Sequence, residues 1–198
     1  HLRITVVEKE KNEYESYLLD LPGLYQAKNL ITVLEACSEL TRLGWNITAS
    51  HIHKALQSVK KLTGLHGRWE IIHHQPTVVM DVGHNVDGIR AINQQLELSN
   101  YRHLHIVIGM VKDKDITAVL QLLPTHASYY FTKAQIPRAM DEIALQEAAF
   151  AFGLKGHSFI EVNDAIKEAL FHAAPNDLVL ICGSVFLVGE VNTQLWSN

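Results

Sequence analysis

Apolar and polar positions follow two rhythms along the chain, and each predicts a different kind of element. At the start, residues 4–7 and 14–19 are rich in β-formers and flank a polar stretch, so a β-hairpin is expected. Leu21-Pro22-Gly23 then breaks the second strand. Over residues 26–44 the apolar side chains Leu30, Val33, Leu34, Cys37 and Leu40 fall at helical spacing, and Gly44 closes the run. Ser50 reads as the cap of a second helix that carries Ile52, Leu56 and Val59. The glycines Gly64 and Gly67 lie in a loop where we expect a domain boundary, with residues 1–65 on one side and 66–198 on the other.

Beyond that loop the rhythm changes. Short, continuous apolar runs at residues 78–80, 104–108, 129–131, 157–160 and 178–181 predict five strands. Amphipathic helices are expected between them at 86–98, 116–123, 140–152 and 162–173, with a last helix ending near Leu195. Strands that are apolar on both faces and alternate with helices predict an α/β fold, a mostly parallel sheet with helices on both faces. Strand order does not follow from the pattern.

Composition narrows the class. The chain has 198 residues, 47% hydrophobic and 19% charged, which suits one globular domain, or one domain and a small piece of another. That much apolar material excludes disorder, and a chain of this size buries roughly 70% of its unfolded surface. Seventeen basic against 21 acidic residues leave a net charge of −4, so no basic face is expected for nucleic acid or a membrane surface. No apolar run approaches the ~20 residues of a membrane span, and the start reads as a strand rather than a signal peptide. Cys37 and Cys182 form no CxxC pair and read as reduced core thiols of a cytoplasmic protein. With His1 in place of an initiator methionine, the chain is expected to be a fragment of something longer.

In open α/β sheets, ligands bind beyond the carboxyl ends of the strands. The residues there are Asp81-Val82-Gly83-His84-Asn85, the stretch from Gly109 to Asp115, Thr132-Lys133-Ala134 with Pro137-Arg138, and Cys182-Gly183-Ser184. Small residues at these places can let the backbone approach a ligand, and the polar ones can hold it. Their ordinary role is that of turn and N-cap residues. Asp81 to Asn85 is the densest group, an acid, an imidazole and an amide able to address a hydroxyl, a phosphate or a carboxylate. Lys112-Asp113-Lys114-Asp115, taken alone, reads as a solvated turn. GxxxxGK[ST], GxGxxG and GxSxG are all absent. Twelve histidines include the pairs His51/His53, His73/His74 and His103/His105, but none has the company of a four-ligand structural zinc site, so no metal ligand is expected.

Six blocks taken together carry a resemblance. Leu21 to Asn29 is similar to the family segment LPGxHQxxN, Gly67-Arg68-Trp69-Glu70 to GRxE, Asp81 to Asn85 to DGAHN, and Gly109 to Asp115 to the G…DKD turn. Pro137-Arg138-Ala139 and the run Cys182 to Glu190 match later blocks. Tyr25 stands where the family has His, and Val82 where Gly or Ala is common. In this order, over nearly the whole chain, the set resembles the C-terminal part of folylpolyglutamate synthase/dihydrofolate synthase, of the Mur ligase superfamily.

The resemblance implies a Rossmann-like C-terminal domain preceded by the tail of an ATPase domain. It implies the substrates ATP, L-glutamate and a pteroate or folate, with Mg ligands and phosphate loop mostly in the remainder of an N-terminal ATPase domain. ATP would phosphorylate the pteroate or folate carboxyl, and the amine of glutamate would attack the acyl phosphate. The same resemblance implies Asn29, Arg68 and Asp81 at ATP, with His84 and Ser184 at the glutamate or γ-phosphate side and His84 catalytic. These types suit the roles: an arginine fork for phosphate oxygens, an aspartate for ribose hydroxyls, and an amide for base or ribose. The alternatives are another Mur-type amino-acid ligase of cell-wall synthesis, or a non-catalytic doubly wound binding module. On every ligase reading the isolated fragment is expected to be inactive.

Overall fold

The computed structural model describes residues 1–8, 13–112 and 116–196. The chain forms two compact units, His1–Arg68 and Trp69–Asn198. In the first, β1 (Leu2–Glu8) and β2 (Glu13–Leu19) pair antiparallel, from Leu2 opposite Leu19 to Glu8 opposite Glu13. Tyr17 and Leu19 turn inward and pack with Leu30 of α1 (Gln26–Arg42) and Leu56 of α2 (Ala49–Leu56).

Two expectations shift in this unit. Thr48, not Ser50, caps α2: its hydroxyl accepts the His51 N–H at 3.3 Å, and the His51 ring accepts the Thr48 N–H at 3.4 Å. Val59 does not extend α2 but opens a separate short helix, α3 (Val59–Thr63), closed by Gly64 at φ 67°. The apolar stripe of α1 is also only partly covered. Leu30 is buried, whereas Val33 and Leu40 are 43% and 38% exposed.

The second unit holds a six-stranded sheet: β3 (Glu70–His74), β4 (Thr77–Met80), β5 (Leu104–Ile108), β6 (Ser128–Phe131), β7 (Gly156–Ser158) and β8 (Leu178–Cys182). Their spatial order is β3-β4-β8-β5-β6-β7, with β3 antiparallel to β4 and every other pair parallel. The five predicted strands are all present. The additional strand, β3, is an edge strand with an irregular register between Ile71 and His73, so it lacks the unbroken apolar run that marks the interior strands.

Every residue of β5 and β8 is buried. Leu104, Ile106, Ile108, Leu178 and Leu180 face the core shared with α4 (Val86–Glu97), α5 (Ile116–Leu120) and α6 (Glu142–Phe150). Val107, Val179 and Ile181 face the opposite core, with α7 (Val162–His172) and α8 (Val185–Gly189). Each such side chain, fully buried, contributes about 1.5–3 kcal/mol. The last helix stops at Gly189 rather than running to Leu195, and a 3₁₀ turn follows at Thr193–Trp196. The cause is Asn163, whose amide donates to the Glu190 carbonyl at 3.0 Å and accepts the Asn192 N–H at 2.9 Å, drawing the chain away from the helical path.

Candidate functional site

The order β4-β8-β5 brings three loops together at the carboxyl edge of the sheet. Gly183 after β8 donates its N–H to the Gly83 carbonyl after β4, at 3.0 Å. Gly183 has φ 106°, a conformation that favours glycine. A Cβ there would strike the Gly109 carbonyl oxygen, and one on Gly109 would lie 2.5 Å from the Thr132 oxygen. The small residues at these strand ends therefore serve the close approach of one loop to the next.

Asp81 is the hinge of this edge. It is 3% exposed, and its two carboxylate oxygens accept the Trp69 N–H at 2.9 Å and the Gly83 N–H at 2.8 Å. Trp69 has φ 52°, unusual for a residue with a side chain, and the bond to Asp81 helps hold it there. The carboxylate expected at the ribose is buried here and bonded to the backbone through both of its oxygens. It shapes the loop that presents its neighbours.

His84 is half-buried, with its Nδ1 2.9 Å from the Val82 carbonyl oxygen. A carbonyl can only accept, so Nδ1 carries the proton, and the Nε2 of the neutral ring is left as an acceptor. Asn85 caps α4 by accepting the Gly88 N–H at 2.8 Å. Ser184 is 5% exposed and caps α8, its Oγ accepting the Phe186 N–H at 3.1 Å. As an acceptor in that bond, the hydroxyl keeps its proton to donate.

The structure thus brings Asp81, His84 and Ser184 to one edge, all in the second unit. Asn29 and Arg68 belong to the first. Asn29 is exposed in the first turn of α1 and donates to Gln26 Oε1 at 2.8 Å, and Arg68 is half-buried at the end of the unit. Asp113, Lys114 and Asp115 lie outside the described residues. Lys133, after β6, is held by Glu142 at 2.6 Å and Asp141 at 3.3 Å, and these bonds raise its pKa. At the other end of Thr132-Lys133-Ala134, Gln135 is anchored through its N–H to Glu190 at 2.6 Å. Burial drives the Cys182 thiol pKa up, so Cys182 behaves as a core side chain. Among the described residues no group of three or more His, Cys, Asp or Glu could hold a metal ion, and no helix is long and apolar enough to cross a membrane.

Fold and edge together define a class: a doubly wound α/β domain whose polar groups gather beyond the carboxyl ends of its central strands. Residues 67–185 match the family model described as "Mur ligase, glutamate ligase domain", and the chain belongs to that family. A probable bifunctional folylpolyglutamate synthase/dihydropteroate synthase of Haloferax volcanii is 30% identical over 202 residues, taking in all of this chain and 23% of that protein. A Mycobacterium tuberculosis folylpolyglutamate synthase, solved in complex with ADP and AMPPCP, superposes with a TM-score of 0.74 at 28% identity, over 92% of this chain and 43% of that one. A bifunctional folylpolyglutamate synthase/dihydrofolate synthase with Mn, AMPPNP and L-glutamate bound gives a TM-score of 0.69 at 26% identity, over 91% and 42%. The chain spans less than half the length of each of these proteins.

Proposed function

We propose that this chain is the C-terminal part of an ATP-dependent ligase that joins L-glutamate to a pteroate or folate carboxyl through an acyl phosphate. The observation that carries the reading is the meeting of Asp81, His84 and Ser184 on one carboxyl edge, in a domain of the glutamate ligase family. The relatives' complexes with adenine nucleotides, Mn and L-glutamate support the same substrates for this chain.

The residues divide the work as their bonds dictate. Asp81 holds the loop after β4. His84, its ring oriented through Nδ1, offers Nε2 to accept a proton from the attacking amine or, once protonated, to donate to a phosphate oxygen. Ser184 donates its hydroxyl proton to a carboxylate oxygen of glutamate. Arg68 supplies a planar fork to phosphate oxygens, and Asn29 an amide to the nucleotide. The described residues of this chain do not by themselves make a metal site. A metal bound in the remainder of the enzyme would neutralise phosphate charge. In this proposal residues 1–65 are the tail of the ATPase domain and 66–198 the C-terminal domain.

The test is ADP formation by the full-length protein, measured with and without L-glutamate and a pteroate or folate. Dependence on both is expected. ADP formation that needs neither, or none at all, would favour a different ligase or a binding module. In the same assay Ser184→Ala is expected to raise KM for glutamate more than KM for ATP. Arg68→Ala should lower turnover about 30- to 1,000-fold, as expected for loss of a charge-assisted phosphate contact.

A further inference from the structure

A cavity of about 770 Å³ opens at the amino end of β5, β6 and β7, opposite the edge that carries the candidate site. Its volume lies in the range of small-molecule sites. Buried rings form its deep end: His105 is 3% and Tyr130 4% exposed, and the His105 Nδ1 lies 3.1 Å from the Tyr130 hydroxyl. Exposed side chains stand at its mouth. Phe150, at the end of α6, is 72% exposed, and Lys155 and His157, just before and within β7, are exposed beside it. The side chains of Lys155 and His157 make no hydrogen bond or ion pair with another described residue. The one carboxylate among the described lining residues, Glu168, lies 3.1 Å from the Nε2 of His172 on its own helix, α7.

A single exposed phenylalanine or a solvated lysine needs no explanation by itself. Here the two wall one cavity, with further rings behind them and no carboxylate paired with the lysine. A ring face beside an unpaired cation matches a flat ring that carries an oxyanion. The ring stacks on the aromatic side chain, and the oxyanion takes N–H donors from ammonium and imidazole. We propose that this cavity binds a flat aromatic molecule bearing one phosphate or carboxylate, with its ring against Phe150 and its anion at Lys155 and His157. The five residues of β5 span about 16 Å, so a ligand at their amino end does not reach the loops of Asp81, His84 and Ser184. The site is therefore separate from the one proposed for ATP and glutamate, and the inference does not depend on that reading.

The experiment titrates 2-naphthyl phosphate and 2-naphthoate into the 198-residue chain, with calorimetry for Kd and the imidazole C–H resonances to locate the probe. Saturable binding of at least one of the two is expected, with shifts at His157 and His172 and none at His84. Tighter binding of the phosphate or of the carboxylate supports the inference equally, and tells which oxyanion the site prefers. 2-Naphthol has the ring without the anion and inorganic phosphate the anion without the ring, and each should bind about tenfold or more weakly than the better probe. Phe150→Ala and Lys155→Ala, both at exposed positions, should each weaken that probe about three- to tenfold. Four results would each overturn the inference: no saturable binding by either aryl anion, equal affinity for 2-naphthol, an unchanged Kd in either variant, or shifts confined to His84.

Discussion

Asp81 illustrates how one residue can shape the loop that carries a candidate site. Its carboxylate is buried and takes two backbone N–H groups, one from Trp69 in the left-handed region. Hydrogen bonds to a charged acceptor contribute about 1.5–3 kcal/mol each, and a buried N–H left without an acceptor costs a comparable amount. Asp81→Ala is therefore expected to destabilise the second unit by about 2–4 kcal/mol in urea unfolding. An unchanged midpoint would mean that the carboxylate serves a ligand and not the loop. Asp and His in DVGHN were legible as candidates from their place after a strand. The side of the hinge each serves was not, because the partner of Asp81 is Trp69, on the far side of β3 and β4.

At the scale of elements, β5 couples the sheet to pH at its amino end, away from the candidate site. His105 is 3% exposed. Its Nδ1 lies 3.1 Å from the Tyr130 hydroxyl of β6, and its Nε2 3.5 Å from Asp177 Oδ2, just before β8. The His103 ring lies edge-on to it at 4.8 Å, and His172 faces it from α7. Burial lowers the His105 pKa below its ordinary 6.5, His103 adds to the effect, and Asp177 opposes it without prevailing. The unfolded chain thus binds this proton more readily than the folded one. Stability from the neutral ring is fully present above the unfolded pKa, and is lost as pH falls from about 6.5 toward the lowered folded value. Unfolding free energy should fall on acidification through this window, by at most about 1.4 kcal/mol per pH unit for one proton. His105→Gln should flatten that slope, and a slope unchanged in the variant would assign it to other groups.

The same scale explains which elements could be read early. β5 and β8 are buried on both faces, so their apolar runs are unbroken and their bounds are nearly those expected. β3 is an edge strand with Ile71 and His74 exposed and an irregular register, so no run marks it. In α1 the helical period is real, yet Val33 and Leu40 stay exposed within this chain. Periodicity reports a face that wants cover, and says nothing about what covers it.

On the scale of the whole molecule, the two units differ in what they can bury. The second has cores on both faces of its sheet. Among its described residues the first has five buried hydrophobic ones, Tyr17, Leu19, Leu21, Leu30 and Leu56, with a partly buried fringe. A core that small is marginal, and so is an isolated hairpin. A polypeptide of residues 69–198 is expected to unfold cooperatively in urea, whereas one of residues 1–68 is not. Hydrogen exchange on the whole chain should show faster exchange before residue 69. Equal protection of both units would refute this. The 198-residue chain alone should form no ADP from ATP, glutamate and folate, since a Walker-type phosphate cradle is absent from its sequence. Measurable turnover by it would sink the proposed division of labour.

The class of the fold is legible in the chain alone, because alternating apolar strands and amphipathic helices are local patterns with local causes. The chain also marks the places where chemistry could sit, because strand ends in such a sheet are where backbone turns and ligands meet. Tertiary structure alone decided the order β4-β8-β5. That order sets the loop of Asp81 and His84 beside that of Gly183 and Ser184. Strand order depends on which buried faces fit one another over long separations in the chain, and no local period carries that information.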